Sequence, residues 1–167
     1  MIAAPRVVTS AAEEETLALG ERIGRALVPG DLLQITGALG AGKTVLVRGI
    51  AVGTGADPRA VRSPTFVLHH VYPSGRLRLH HLDLYRLATH GGTPPAVAPP
   101  PVDVTLFALD DLLEDGAVVV EWGELADLRR FSPVEIVIDP DAEGGRRCTL
   151  GAGAPERLAA AWDTAPR

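Results

Sequence analysis

The chain of 167 residues is 46% hydrophobic and 22% charged, with a formal net charge of −5. That length and balance fit one globular domain that folds without a metal or disulfide staple. The single cysteine, Cys148, excludes an internal disulfide and a multi-cysteine zinc site. No apolar run approaches the roughly 18 residues that span a bilayer, and Glu13, Glu14 and Glu15 stand where a secretory signal would be apolar. The acidic balance opposes tight, direct nucleic-acid binding. The expected address is cytoplasmic, with no membrane contact.

In chain order, Arg6-Val7-Val8-Thr9 reads as a strand. Ser10 with Glu13 three residues on forms a capping-box pattern. Leu17, Gly20, Ile23, Gly24 and Leu27 then recur at helical spacing up to the turn Pro29-Gly30-Asp31. Leu32 to Thr36 is a short apolar run, as for a strand buried on both faces. A glycine-rich turn leads into a predicted helix from Lys43 to about Val52. Phe66–Tyr72 and Arg76–Leu82 flank Pro73-Ser74-Gly75 and predict a hairpin. From Ala88 to Val102 there are five prolines and no Asp, Glu, Lys or Arg, so a flexible proline-rich insertion is expected within 88–105. A short helix follows from Phe107 to Leu113, then strands at Ala117–Val120, Val134–Ile138 and Arg147–Leu150, and a helix from Pro155 to Trp162. The mixture predicts an α/β fold across residues 1–167: a mixed, mainly parallel sheet with flanking helices and some antiparallel strands.

The chemistry is concentrated between the apolar run and the helix after it. Gly37-Ala38-Leu39-Gly40-Ala41-Gly42-Lys43-Thr44 fits G-x-x-x-x-G-K-[ST] at every fixed position. Glycines let the backbone bend through positive φ and approach a phosphate with no Cβ in the way. Main-chain amides and the positive end of the following helix then form an anion cradle. Lys43 supplies a compact charge to the outer phosphates, and Thr44 a hydroxyl to Mg²⁺. Lys43 is the only lysine among 16 basic residues. A bulky planar guanidinium would not fit this cradle.

Such a site needs an acid near the metal, at the end of a neighbouring apolar strand. Glu121, after four apolar residues, is the first choice for the metal, and Asp83 for orienting the attacking water or a metal-bound water. Ser63-Pro64-Thr65 puts a hydroxyl just before a strand, where Thr65 would meet the γ-phosphate or Mg²⁺ or else belong to an ordinary turn. Of His69, His70, His80 and His81, adjacent residues point to opposite faces of a strand, so only one per arm can share a face; a structural role is expected. Trp122 and Cys148 are expected to pack in the core. Three functions remain open on the residues alone: an ATPase, a P-loop small-molecule kinase, and an ATP-sensing module without turnover. The absence of arginine between Ala88 and Val102 argues against the lid of a kinase.

GALGAGKT from Gly37 to Thr44, Arg62-Ser63-Pro64-Thr65, the run from His81 to Leu87 and Val120-Glu121-Trp122, in that order, resemble the TsaE (YjeE) family of bacterial P-loop ATPases. The resemblance implies a P-loop NTPase-like fold, ATP and Mg²⁺ as cofactors, and weak hydrolysis stimulated by a TsaB–TsaD heterodimer that makes N6-threonylcarbamoyladenosine in tRNA. It implies that Gly37, Ala38, Leu39, Gly40, Ala41, Gly42, Lys43 and Thr44 hold the nucleotide and that Thr44 and Glu121 hold the metal. It further implies that Asp83 and Thr65 assist hydrolysis beside Lys43 and that Ser10 to Glu13 approach the adenine. The residues themselves show no obvious arginine finger; Arg86 is a candidate in cis, with a partner in trans as the other source of charge stabilisation.

Overall fold

A computed structural model describes residues 4–59, 68–88 and 101–164. Within them lie β1 (Arg6–Ser10), α1 (Glu13–Ala26), β2 (Leu32–Thr36), α2 (Lys43–Gly53), β3 (His69–Tyr72), β4 (Leu79–Asp83), α3 (Tyr85–Ala88), α4 (Leu109–Asp115), β5 (Ala117–Glu121), β6 (Val134–Pro140), β7 (Arg146–Leu150) and α5 (Glu156–Asp163). The strands form one seven-stranded sheet in the order β1-β7-β6-β2-β5-β4-β3. The four central strands, β6-β2-β5-β4, run parallel, and both margins are antiparallel. This is the expected α/β architecture, with its parallel part gathered at the centre.

Side-chain alternation divides the core into two layers. Leu33, Ile35, Val119 and Ile136 face a layer with Leu19 and Ile23 of α1, Leu46 and Ile50 of α2, and Leu158 and Trp162 of α5. Leu32, Leu82, Val118 and Val120 face the other, with Leu109 of α4, Val104 and Leu128. Strand β5 is therefore buried at every residue, which explains why its sequence is a continuous apolar run rather than an alternation.

Helices α1 and α2 meet backbone to backbone through Gly20, Gly24, Gly49 and Gly53. A Cβ on Gly24 would lie 2.1 Å from the Ile50 carbonyl oxygen, and one on Gly49 would lie 2.2 Å from that of Leu17. The C-terminal end of α1 is tied down by the Arg76 guanidinium, which donates to the carbonyls of Gly24 and Leu27.

Several local expectations are corrected. Ser10 does not cap α1; its backbone stays in β1, paired with Arg146. Its hydroxyl instead bonds the Ala12 carbonyl at 2.8 Å and the Thr16 hydroxyl at 2.7 Å. Glu15 accepts from the Ala11 amide at 2.7 Å, and the helix opens two residues later than a capping box at Ser10 would place it, with Ala12 as its N-cap. The second hairpin arm starts at Leu79 rather than Arg76, because the Arg76 amide donates to the Thr54 carbonyl at 3.0 Å. The helix expected at Phe107 is two pieces, a 3₁₀ turn over Val104–Phe107 and then α4, separated by Ala108 at φ 48. Of the expected insertion, Val102 bridges Ala126 and Val104 lies in the core; residues 89–100, like Phe66 and Val67 of the first hairpin arm, lie outside the described residues.

The glycine contact between α1 and α2 makes a test. Gly24→Ala should destabilise the protein by about 1–3 kcal/mol through overpacking, although alanine is the better helix former by roughly 1 kcal/mol. Urea unfolding measures the change; an unchanged midpoint would mean that the two helices can part without cost.

Candidate nucleotide-binding site

The site grows from the C-terminal ends of β2 and β5. Strand β2 ends at Thr36, and the chain then turns through Gly37 at φ 144, Gly40 at φ 77 and Gly42 at φ 105. A Cβ on Gly37 would lie 2.2 Å from the Ile138 carbonyl oxygen of β6, whereas the Cβ position of Gly40 faces open space. Gly42 is the N-cap of α2 and has no side chain with which to cap it. The first amides of that helix are free of side-chain capping, in the arrangement that suits an anion.

Lys43 lies back over this loop. Its Nζ donates to the carbonyls of Gly37 at 2.7 Å and Ala38 at 2.8 Å, and sits 3.6 Å from the centroid of the Trp122 ring. It is only 4% exposed. Burial lowers the Lys43 pKa, while the charges of Glu121, Glu124 and Asp83 act in the opposite direction. Trp122 holds a left-handed conformation, φ 58, immediately after β5. One edge of its environment is the second core layer, and the Tyr85 ring lies 4.8 Å away, centroid to centroid. Trp122 therefore has more than the core role expected of it: it is the platform on which the loop lysine rests.

Glu121 ends β5, which pairs in parallel with β2 so that Glu121 stands opposite Ile35, two residues before the loop begins at Gly37. On its other side Glu121 is in register with Asp83, the last residue of β4. This double pairing brings the two predicted acids to the same sheet edge as the loop. The Glu121 carboxylate accepts from the Thr44 hydroxyl at 2.9 Å and from His81 Nε2 at 2.8 Å. Asp83 accepts from the Tyr85 amide at 3.0 Å. Its carboxyl is pushed above the usual range by burial first and by the Glu121 charge next, with that amide opposing.

Sequence reasoning missed three contacts here. His81 touches Glu121, and the period-two alternation that puts it on the face of Asp83 was the available signal. Arg146, one of the arginines at the start of β7, donates from Nε to the Ala41 carbonyl at 3.1 Å and packs where a Cβ on Gly42 would stand. It also lies 3.5 Å from the Thr16 hydroxyl, which links the loop to the segment around Ser10. The remaining histidines behave structurally: His69 Nε2 and His80 Nδ1 are 3.1 Å apart on one face, and His80 Nε2 lies 2.9 Å from Asp115. Cys148 is fully buried, and burial raises its thiol to about 11. Thr65 lies outside the described residues, as does the Arg86 side chain.

Among the described residues no group of three or more His, Cys, Asp or Glu forms a metal cage. A hydroxyl and one carboxylate suit instead a magnesium ion, which takes one or two protein oxygens and completes its shell with water and phosphate oxygens. The glycine cradle and the oxygen pair Thr44–Glu121 thus fit a polyphosphate with Mg²⁺. No helix among the described residues is long and apolar enough to cross a membrane.

The profile of the family described as Threonylcarbamoyl adenosine biosynthesis protein TsaE matches residues 10–148. The chain belongs to this family. The tRNA threonylcarbamoyladenosine biosynthesis protein TsaE of Treponema pallidum is 35% identical over 143 residues, which cover 84% of this chain and 96% of that protein. The protein of the same name from Mycobacterium tuberculosis is 43% identical over 114 residues, or 66% of this chain; the match spans 64% of that relative's length. A crystal structure of Bacillus subtilis YdiB superposes with a TM-score of 0.68 at 27% identity, covering 96% of this chain and 93% of that one. The shared region includes the loop, both acids and Trp122.

The raised pKa of Asp83 carries a stability consequence. Below the pKa of the unfolded chain, about 4, both states are protonated and the group contributes nothing. Above it, ionisation is harder in the folded state and costs stability. Asp83→Asn should therefore raise the melting temperature at neutral pH, with the gain vanishing as pH falls below about 4. Thermal melts at both pH values check this, and a variant less stable than the parent at neutral pH contradicts it.

Proposed function

We propose that this chain is a Mg²⁺-dependent ATPase that supports formation of N6-threonylcarbamoyladenosine in tRNA by acting on a TsaB–TsaD heterodimer. The reading rests above all on one observation: the Thr44 hydroxyl after the G-x-x-x-x-G-K motif is bonded to the Glu121 carboxylate from the adjacent parallel strand, at 2.9 Å. That strand–loop–helix with an acid on the neighbouring strand is what phosphate and metal recognition requires. Family membership supports the biological setting. One continuous sheet supports treating the chain as one domain, and the setting of tRNA and ATP supports a cytoplasmic address.

The amides of the loop from Leu39 to Lys43 would take the phosphates, and Lys43 would exchange its carbonyl partners at Gly37 and Ala38 for the outer phosphate oxygens. Thr44 and Glu121 would hold Mg²⁺, which when bound withdraws charge from the β- and γ-phosphate oxygens. Asp83, whose burial makes its carboxylate hold a proton more tightly than usual, would orient the attacking water. Thr65 would assist at the γ-phosphate. The approach of Arg146 to both the loop and Thr16 supports the Ser10–Glu13 segment as the side on which adenine enters.

The same reading leads us to expect weak turnover of the isolated chain. Arg146, the described arginine bonded to the loop, spends its Nε on a loop carbonyl rather than on developing phosphate charge. Stabilisation of the transition state must then be completed by another group, Arg86 in cis or a partner in trans, and such a contribution is typically worth about 10³–10⁵ in rate. The acidic net charge of −5 suits a protein that acts on a protein complex rather than gripping tRNA itself.

Two outcomes are expected. Lys43→Ala should abolish the thermal shift produced by Mg-ATP while leaving the unliganded melt close to that of the parent; an equal shift in the variant refutes the site. With the parent protein, radiolabelled ATP should yield phosphate released to water, faster on addition of TsaB–TsaD. Transfer of the label to a metabolite would establish the kinase instead, and no stimulation at saturating partner would remove the assignment to that complex.

A further inference from the structure

His81 belongs to no catalytic role derived so far, yet it is the most completely buried polar side chain at the site, 1% exposed beside a Glu121 that is 2% exposed. It stands in register with Val119, so Glu121 is its diagonal neighbour on the same face of the sheet. The two carboxylate oxygens are divided: Oε1 takes His81 Nε2 and Oε2 takes the Thr44 hydroxyl. A carboxylate is an acceptor only, so His81 must donate from Nε2. Its Nδ1 has no hydrogen-bond partner, and its ring stacks on Tyr72 at 6.4 Å between centroids with 20° between planes. The imidazole is thus held as a wedge with one polar contact, and that contact is the metal-site carboxylate.

We propose that His81 is the positioning residue for the magnesium-binding carboxylate: it fixes Oε1 so that Oε2 alone is presented to Thr44 and the ion. The inference rests on the reading of Thr44 and Glu121 as the metal pair. The physical argument is the cost of an underbonded buried carboxylate. Without the Nε2 donor, Glu121 would keep only the Thr44 hydroxyl, which Mg²⁺ needs in order to bind. It would then rotate towards other donors, and that change removes the ligand. Partners behind a metal ligand typically contribute about 10–100-fold in metal affinity. The loop amides and Lys43, which meet the phosphates directly, do not depend on this contact.

The test uses the full chain with three forms: the parent, His81→Leu, which keeps the volume and removes the donor, and His81→Gln, whose amide nitrogen reaches the position of Nε2. Calorimetry with a non-hydrolysable ATP analogue is run first in EDTA and then across a Mg²⁺ titration. The expected result is metal-free affinity unchanged in all three forms. The Mg²⁺ needed for half-maximal tightening should rise about 10–100-fold in His81→Leu and return towards the parent value in His81→Gln. A His81→Leu variant with the parent's Mg²⁺ dependence overturns the proposal. So does loss of metal-free and metal-dependent binding together, which would mark a purely structural role, and so does a His81→Gln variant as defective as His81→Leu. A parent chain that binds no nucleotide, or binds it without response to Mg²⁺, defeats the reading of the site itself and this inference with it.

Discussion

The site depends on a carboxylate that is almost wholly withdrawn from water at the end of the central sheet. Burial of Glu121 is unfavourable in itself, and it persists because each oxygen has a donor, Thr44 on one side and His81 on the other. The two donors and the carboxylate come from three different elements, α2, β4 and β5, and their meeting requires the parallel pairing of β5 with both β2 and β4. The register of those strands and the location of the chemistry are therefore one constraint. A slip of one residue in β5 would turn Glu121 into the opposite layer, towards Leu32 and Leu82 and away from Thr44 and His81.

The same economy governs the loop. Lys43 is buried on Trp122 and satisfied by two carbonyls of the segment that it would have to leave to reach a phosphate. Trp122 contributes a face that tolerates the ammonium without a fixed counter-charge. It keeps the lysine near the loop. The left-handed conformation at Trp122 follows from this placement, because the chain must turn sharply after β5 to lay the ring over the loop.

How much of this could be read in the sequence differs by kind of signal. The loop was legible because its residue types are tied to backbone geometry at fixed spacing, and the glycines at Gly37, Gly40 and Gly42 do take positive φ. Strand β5 and its terminal acid were legible because a strand covered on both faces leaves a continuous apolar run. The capping box at Ser10 was misleading because a local pattern competed with strand pairing to Arg146, and the tertiary bond won. The start of β4 was displaced by Arg76, whose role as a cap for α1 is a contact across 49 residues that no local window contains. His81 and Trp122 were undervalued for the same reason. A histidine or tryptophan in an apolar neighbourhood looks alike in sequence whether it fills the core or braces a charged group.

The glycines link fold and site more closely than either reading suggests alone. Gly20 and Gly24 let α1 approach α2 at backbone contact, and Gly49 and Gly53 answer them from the other helix. Helix α2 begins at the loop lysine, so its position against the sheet sets where Lys43 and Thr44 emerge. Holding α2 by close backbone packing, rather than by long interdigitating side chains, leaves little freedom for its N-terminus to drift. A hydroxyl that must meet a carboxylate on another strand at 2.9 Å needs that rigidity. The helix pair is then coupled to the contact between Thr44 and Glu121: loosening it would act on Glu121 through Thr44 before it acted on anything else.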